Sequence, residues 1–133
     1  MQEVLHVGLD VGSTTVKIVV LDNKFKTIYT HYTRHNSDTK NTLCNILNSL
    51  ASNFSGEQFT ISLTGSGAIS ASKYLDIPFI QEVISCKKAI QEYFPKTDVV
   101  IELGGEDAKI IYFDKSIEQR MNGTCAGRNG SFY

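Results

Sequence analysis

The sequence predicts an α/β fold built on a mixed β-sheet, followed by the first strands of a second sheet of the same kind. The first observation behind this prediction is the order of apolar patterns, which alternate as strands or recur at helical spacing as β-β-β-α-β-α-β-α. The second is a repeat, because residues 9–22 (LDVGSTTVKIVVLD) align without a gap on residues 101–114 (IELGGEDAKIIYFD). One strand-turn-strand unit therefore occurs twice in the chain.

The first three strands are predicted to form an antiparallel meander. Val4–Val11 and residues 16–21 are rich in Val, Ile and Leu, and Gly12-Ser13-Thr14-Thr15 between them is typical of a tight turn. A second turn at residues 22–24 leads to a strand over residues 27–33. Short polar turns of this kind connect antiparallel neighbours.

Helices and strands alternate after the meander. Asp38 is a predicted N-cap, and apolar residues at helical spacing follow it until Gly56. The predicted elements are a helix over Thr39–Asn53, a strand over residues 59–64, a helix over Ala68–Leu75, a short strand over residues 77–80, a helix over residues 83–94 that Pro95 ends, and strands over residues 98–104, 108–113 and 116–121. We expect one domain at residues 1–96 and the start of another at residues 97–133.

The composition excludes several classes of protein. The chain has 133 residues, of which 41% are hydrophobic and 20% charged, and its net charge is -1, so no nucleic-acid partner is expected. The N-terminus has no basic start followed by a long apolar segment, so neither a signal peptide nor a membrane span is predicted. We therefore expect a cytoplasmic protein whose three widely spaced cysteines, Cys44, Cys86 and Cys125, are reduced.

Asp10 and the turn that follows it are the first candidate site. An aspartate at the end of a strand can hold a hydrated magnesium ion, and a glycine two residues later lets the backbone approach a phosphate. The hydroxyl and amide groups of the next three residues are potential phosphate donors. An ordinary hairpin that binds nothing is the alternative, and the second copy of the motif favours function. The candidate residues are Asp10, Gly12, Ser13, Thr14 and Thr15.

The second candidate site is the equivalent segment, Glu102-Leu103-Gly104-Gly105-Glu106-Asp107. Its glycine pair would face the β and γ phosphates of a nucleotide, and Glu102 would orient a water molecule or a metal ion. Three acidic residues within so short a segment repel one another unless a cation is near. A solvated acidic turn is the alternative.

Three further features carry weaker predictions. Lys17 and Lys109, in the returning strands, could reach a phosphate, although a lysine on a solvent face is the commoner arrangement. Gly65-Ser66-Gly67 before a helix is as typical of a plain loop as of an anion site. Cys125 lies between glycines at residues 122–127, where an open backbone suits metal ligation. From spacing alone, a small residue in a turn is the favoured interpretation of Cys125.

A β-β-β-α-β-α-β-α unit that begins twice, with candidate phosphate turns at equivalent strand junctions, resembles the actin, Hsp70 and sugar-kinase superfamily. In that superfamily two ribonuclease-H-like domains bind ATP between them. The resemblance implies that residues 1–96 form the first ribonuclease-H-like domain and that residues 97–133 begin the second. It also implies a longer parent protein, with apolar surface exposed on the second sheet of this chain.

Five segments carry a more specific resemblance, namely LDVGSTTVKIVVLD, LTGSG, IPFIQEVISCKKAI, IELGGEDAKII and MNGTCAG. They are similar to the activator ATPases of 2-hydroxyacyl-CoA dehydratases, the BadF/BadG/BcrA/BcrD-type ATPase family, and HNSD, GSGAIS and IPFIQEV are most similar to the N-terminal part of large fused activator proteins. The resemblance implies a homodimer that shares one 4Fe-4S cluster, with two cysteines from each subunit. ATP hydrolysis would drive a low-potential electron into a partner, the 2-hydroxyacyl-CoA dehydratase component.

The same resemblance implies roles for the candidate residues. Phosphate motif 1 would comprise Asp10, with its magnesium ion, and Gly12, Ser13, Thr14 and Thr15; phosphate motif 2 would comprise Glu102, Gly104, Gly105 and Asp107; and Cys125 would be the first cluster ligand. The chain departs from the family at Arg128 and Asn129, which follow Cys125-Ala126-Gly127 where the family has Gly-Thr, and it lacks a second ligand cysteine downstream. We therefore expect this polypeptide alone neither to hold a complete cluster nor to bind ATP tightly.

Two other functions stay open at this point. A sugar or acid kinase of the same superfamily would use Asp10 and Glu102 for phosphoryl transfer and would need no cluster. A non-catalytic scaffold module would keep the fold without the chemistry.

Overall fold

A computed structural model describes residues 3–103 and 108–113, together with the backbone of residues 119–121. The chain divides into two compact units, Met1–Glu82 and Val83–Tyr133. The domain boundary predicted at residue 96 stays a prediction.

The first unit holds a four-stranded mixed sheet and two helices. In chain order its elements are β1 (Val4–Val11), β2 (Thr15–Leu21), β3 (Thr27–Arg34), α1 (Thr39–Asn53), β4 (Gln58–Thr64) and α2 (Ala68–Leu75). The strand order is β3-β2-β1-β4, with antiparallel pairing among the first three strands and parallel pairing between β1 and β4. The predicted meander and the predicted mixed sheet are confirmed.

Alternation along the strands creates the core of this unit. Every second side chain of β1 and β2 points to one face of the sheet, as a pleated strand requires, and α1 adds residues at helical spacing. The buried core consists of Leu5, Val7, Leu9, Val11, Val16, Ile18, Val20, Leu43, Ile46, Leu50, Leu63 and Ala68. Because β1 is flanked by β2 and β4, residues at its end lie at the middle of the sheet.

The predicted N-cap is confirmed, since the Asp38 side chain accepts a hydrogen bond from the Asn41 amide at 3.2 Å. The strand predicted at residues 77–80 is reduced to one parallel bridge, between Leu63 of β4 and Phe79. Around it the Leu63 amide donates to the Pro78 carbonyl and the Ile80 amide donates to the Leu63 carbonyl, both at 2.8 Å. Pro78 has no amide hydrogen to extend the ladder, which accounts for the short pairing.

The second unit holds α3 (Glu82–Tyr93), whose first residue belongs to the first unit. It also holds a sheet of three strands in the order β5-β6-β7, namely β5 (Val99–Leu103), β6 (Ala108–Tyr112) and β7 (Gln119–Met121). All its strand pairs are antiparallel. Ile111 is buried, whereas Ile101 is 62% and Leu103 80% exposed. The described part of this sheet therefore carries exposed apolar side chains, as the sequence predicts.

The repeat is preserved in the pairing of the first two strands of each unit. Asp10 of β1 faces Lys17 of β2, and Glu102 of β5 faces Lys109 of β6 at the equivalent positions. The two hairpins thus share one register over their whole paired length.

The number of residues between paired positions of the second and third strands differs between the two units. Ile18 faces His31, 13 residues later, whereas the equivalent Ile110 faces Arg120, 10 residues later. The connection between the second and third strands is therefore three residues shorter in the second unit.

Candidate functional site

Asp10 lies near the carboxyl end of β1, between two strands that each place a polar residue beside it. Its partner on β2 is Lys17 and its partner on β4 is Thr64. Lys17 Nζ is 3.3 Å from Asp10 Oδ2, and the two side chains are 53% and 37% exposed, respectively. The carboxylate is therefore held by a cation and still open to a ligand.

Thr64 adds an unsatisfied group to this end of the sheet. Its hydroxyl oxygen is buried without a hydrogen-bond partner in the described part of the chain. Residues paired across neighbouring strands project from the same face, so this hydroxyl and the Asp10 carboxylate belong to one face. A buried hydroxyl is normally satisfied by protein or water, and the described residues supply no partner for this one.

The turn after β1 is closed by one hydrogen bond, from the Gly12 amide to the Thr15 carbonyl at 2.8 Å. Ser13 and Thr14 are exposed. Within residues 3–103 and 108–113, the amides of Ser13 and Thr14 have no hydrogen-bond acceptor. Two consecutive unbonded amides next to a carboxylate form a suitable site for an oxyanion with a bound cation.

The loop Gly65-Ser66-Gly67 packs against the end of β1. Gly65 has a φ of +99°, and a side chain there would collide with the Val11 carbonyl oxygen and lie 2.6 Å from Asp10 Oδ1. The Gly67 amide donates to the same Val11 carbonyl at 2.8 Å. Close packing of the backbone next to Asp10 thus explains these glycines without any ligand.

His35 was missed by the sequence analysis. It follows β3, is only 7% exposed, and bonds through its ring to the Gly12 carbonyl and through its amide to the Thr14 carbonyl. His35 follows an exposed, largely polar strand and is not part of a regular spacing of apolar residues. The hydrophobic pattern of the sequence therefore gave no indication of this contact. The only local sign is the polar segment between β3 and the Asp38 cap.

Of the four residues assigned to the second phosphate motif, Glu102, Gly104, Gly105 and Asp107, the structure describes Glu102. It is exposed on β5 and faces Lys109. Gly104, Gly105, Asp107 and Cys125 lie outside the described residues. The assembly of the second phosphate motif therefore stays a prediction.

The two described cysteines are free thiols, Cys44 exposed on α1 and Cys86 partly buried on α3. Burial raises the pKa of the Cys86 thiol, the negative charge of Glu102 raises it further, and Lys109 opposes this in part. Cys86 is therefore a protonated thiol near neutral pH rather than an activated one. In the described ranges, no three His, Cys, Asp or Glu residues are grouped closely enough to hold a metal ion.

A groove of about 310 Å³ lies between α1 and α2, and Gly67 is also part of its lining. Its lining is mainly apolar and includes Leu43, Leu47 and Ala71, while Lys40 Nζ lies 5.2 Å from the Tyr74 ring centroid at the same helices.

For the described helices, none combines the length and apolar character needed to cross a membrane.

A sequence model of the BadF/BadG/BcrA/BcrD ATPase family matches residues 7–133. The chain belongs to this family. The family predicted from the sequence motifs is thereby confirmed.

The similarity to known proteins extends over almost the whole of this chain but over only part of each of those proteins. The uncharacterized protein MJ0800 of Methanocaldococcus jannaschii is 29% identical over 139 residues, which span 99% of this chain and 34% of that relative. The chain therefore spans about a third of the length of this curated relative.

Two solved structures share the fold. Component A of (R)-2-hydroxyglutaryl-CoA dehydratase from Acidaminococcus fermentans has a TM-score of 0.75 at 21% identity, over 92% of this chain and 49% of that one. The activator of 2-hydroxyisocaproyl-CoA dehydratase from Clostridium difficile, with bound ADPNP, has a TM-score of 0.72 at 27% identity, over 92% of this chain and 47% of that one. The ATPase fold of the actin, Hsp70 and sugar-kinase type is thereby confirmed.

Proposed function

We propose that this chain contributes the first phosphate motif, and the start of the second, of an ATP-hydrolysing activator of a 2-hydroxyacyl-CoA dehydratase component. The observation that carries the proposal is the accessible Asp10 carboxylate beside a turn whose Ser13 and Thr14 amides have no acceptor among the described residues. Membership of an ATPase family supports ATP as the nucleotide, as does the ADPNP in a 27% identical activator.

The residues of the turn have separate roles in this proposal. The amides and hydroxyls of Ser13, Thr14 and Thr15 donate to phosphate oxygens, and Gly12 keeps the approach free of a side chain. Asp10 binds the hydrated magnesium ion, and Lys17 holds the carboxylate at the end of β1. Magnesium usually keeps several waters and binds through one or two carboxylates together with phosphates, which fits a single accessible aspartate and a nearby orphaned Thr64 hydroxyl. When bound, the ion neutralises charge on the phosphates.

The second motif has its own roles in this proposal. Glu102 orients the attacking water, and Gly104, Gly105 and Asp107 are the remaining residues of the second phosphate motif. The shared register of the two hairpins supports a site residue at both positions, since Asp10 and Glu102 each lie one residue before the end of a strand and face a lysine of the returning strand. A water molecule positioned by a carboxylate is the usual arrangement for hydrolysis in such sites.

The electron-transfer part of the proposal rests on the family and on Cys125. The full-length protein would be a cytoplasmic homodimer that holds one 4Fe-4S cluster, which supplies a low-potential electron to the dehydratase component. In the described part of the chain, Cys44 and Cys86 belong to no group of three His, Cys, Asp or Glu residues. We propose only Cys125 as a ligand, because it is the cysteine to which the family motif MNGTCAG assigns this role.

Titration of the full-length protein with ADPNP and Mg²⁺ tests the nucleotide site, with Gly12→Ala as the variant. An added methyl at Gly12 meets only Thr15, with 3.5 Å to its carbonyl oxygen, so the fold should be kept and the Tm should stay within about 3 °C. The methyl would obstruct the phosphate, and we expect ADPNP affinity to fall by about tenfold or more.

Gly8→Ala is the matched control, because no atom of the described residues lies within 4 Å of its added methyl and it precedes Gly12 by four residues on β1. Its ADPNP affinity should equal that of the wild type. Equal affinities for wild type and Gly12→Ala would contradict phosphate binding at this turn.

Anaerobic iron reconstitution of the full-length protein tests the cluster. We expect visible absorption and bound iron in the wild type, and the loss of both in Cys125→Ala, since thiolates hold such clusters. Cys44→Ala is the control, because Cys44 is an exposed residue of α1 and should leave the iron content unchanged. Iron content that is unchanged in Cys125→Ala would remove this residue from the proposal.

A further inference from the structure

His35 is the only polar or charged side chain classed as buried in the described part of the chain. A buried imidazole needs partners for both ring nitrogens, because an unsatisfied one costs the desolvation of that group. Both partners of the His35 ring are backbone groups, and one of them belongs to the proposed phosphate turn.

The two ring contacts define the tautomer of His35. Nε2 lies 3.0 Å from the Gly12 carbonyl oxygen, which can only accept, so Nε2 carries the hydrogen. Nδ1 accepts from the Ser37 amide at 3.2 Å, so Nδ1 carries none. The ring therefore points a donor at the turn.

The backbone of His35 holds the other side of the same turn. The His35 amide donates to the Thr14 carbonyl at 3.1 Å, beyond the last pair of β2 and β3. His35 thus binds the carbonyls of both Gly12 and Thr14, the residues on either side of Ser13 in the turn.

The Gly12 contact decides where the next amide points. A trans peptide is planar, and its carbonyl and amide hydrogen point in opposite directions. All peptide bonds in the described residues are trans. With the Gly12 carbonyl directed at the His35 ring, the Ser13 amide is directed away from it, and this amide has no acceptor in the described part of the chain.

The segment after His35 holds the ring in this orientation. Asn36 and Ser37 have φ values of 47° and 65°, so the backbone reverses and brings the Ser37 amide onto Nδ1. The Asp38 amide then donates to the His35 carbonyl at 2.7 Å, directly before α1 begins. Two consecutive non-glycine residues in the left-handed region are uncommon and have an energetic cost, which the contacts of His35 help to offset.

We propose that His35 is a positioning residue of the nucleotide site, whose Nε2–H orients the Gly12–Ser13 peptide so that the Ser13 amide faces a phosphate oxygen. This inference rests on the proposed function. His35 contacts no nucleotide itself and acts through the peptide it binds.

Two isosteric variants of the full-length protein test the inference. In His35→Gln the side-chain amide nitrogen takes the place of Nε2 and can still donate to the Gly12 carbonyl. In His35→Asn the side-chain oxygen takes the place of Nδ1, so the Ser37 contact is kept and the donor to Gly12 is lost. We expect ADPNP affinity to fall by about tenfold in His35→Asn and to stay within about threefold of wild type in His35→Gln.

Adenosine affinity distinguishes the positioning of a phosphate from a merely structural role, which would weaken adenosine and ADPNP binding alike. Because the Ser13 amide meets only phosphate, adenosine affinity should be the same in wild type and both variants. A loss of ADPNP and adenosine affinity in equal proportion would overturn the inference, and so would ADPNP binding by His35→Asn at wild-type strength. Wild-type protein that binds no ADPNP would overturn the proposed function and this inference together.

An NMR titration of the wild type keeps the test decisive if His35→Asn does not fold. The Ser13 amide proton should move downfield when ADPNP and Mg²⁺ are added, and the His35 ring should show a protonated Nε2 and an unprotonated Nδ1. A Ser13 amide that does not shift upon nucleotide binding, or a ring in the other tautomer, contradicts the inference.

Discussion

Asp10→Asn is expected to reduce ATP hydrolysis by the full-length protein by about 10²-fold or more, because a bound metal ion supplies several kcal/mol of charge stabilisation and about 1.4 kcal/mol is a factor of ten in rate. Asparagine has the same shape but no charge, so it cannot bind the magnesium ion strongly or pair with Lys17, which lies 3.3 Å from the carboxylate. The fold should survive, because exposed ion pairs contribute at most about 1 kcal/mol to stability. Steady-state ATPase rates and thermal unfolding are the measurements.

Asp22→Asn is the matched control for this prediction. Asp22 follows β2, and its Oδ1 accepts hydrogen bonds from the Lys24 and Lys26 amides at 2.9 and 2.8 Å. The side-chain oxygen of an asparagine can accept the same two hydrogen bonds. Its ATPase rate should therefore equal that of the wild type. A comparable loss in both variants, or none in Asp10→Asn, would exclude Asp10 from the reaction.

Gly65→Ala is expected to have the largest effect on stability. The φ of +99° is unfavourable for any L side chain, and the added methyl would collide with the Val11 carbonyl oxygen beside Asp10. Backbone strain costs about 1–3 kcal/mol, and overpacking costs a similar amount. Their sum is a substantial part of a typical folding free energy of about 5–15 kcal/mol. We expect a Tm at least about 10 °C lower, or no soluble protein.

Circular dichroism on heating measures this effect, with Gly56→Ala and Gly8→Ala as controls. Gly56 also has a positive φ, +88°, but no atom lies within 4 Å of its added methyl, so it isolates the cost of the backbone conformation. Gly8 has neither constraint. Should Gly65→Ala lose no more stability than Gly56→Ala, the close approach of the loop to β1 would be refuted.

The elements of the fold were predictable wherever a local pattern determines them. The apolar alternation of β1 and β2, the helical spacing of α1 and the Asp38 cap each act over a few residues, and their predicted bounds agree closely with the structure. The segment around Pro78 was predicted as a strand because its apolar composition suits one. Its pairing depends on amide hydrogens, which proline lacks, and only a single bridge forms.

The candidate site was predictable in part. Asp10 and the turn were identified because they occur twice, and the fold brings Lys17 beside Asp10 by hairpin pairing across that turn. The contacts that depend on distant segments were not predictable. His35 reaches the Gly12 carbonyl from 23 residues away, and Gly65 meets Asp10 only because β4 lies parallel to β1. Such contacts follow from the three-dimensional arrangement and leave no period in the sequence.

The common register of the two hairpins restricts where the chain can change its length. Side chains of a strand alternate between two faces, so an insertion between Val11 and Val16 that shifts the pairing of β2 by one residue would exchange its core row for its solvent row. The connection from the second to the third strand differs by three residues between the units, and both meanders still form. Insertions, peptide tags and fluorophore sites should therefore be accepted between β2 and β3 and rejected between β1 and β2.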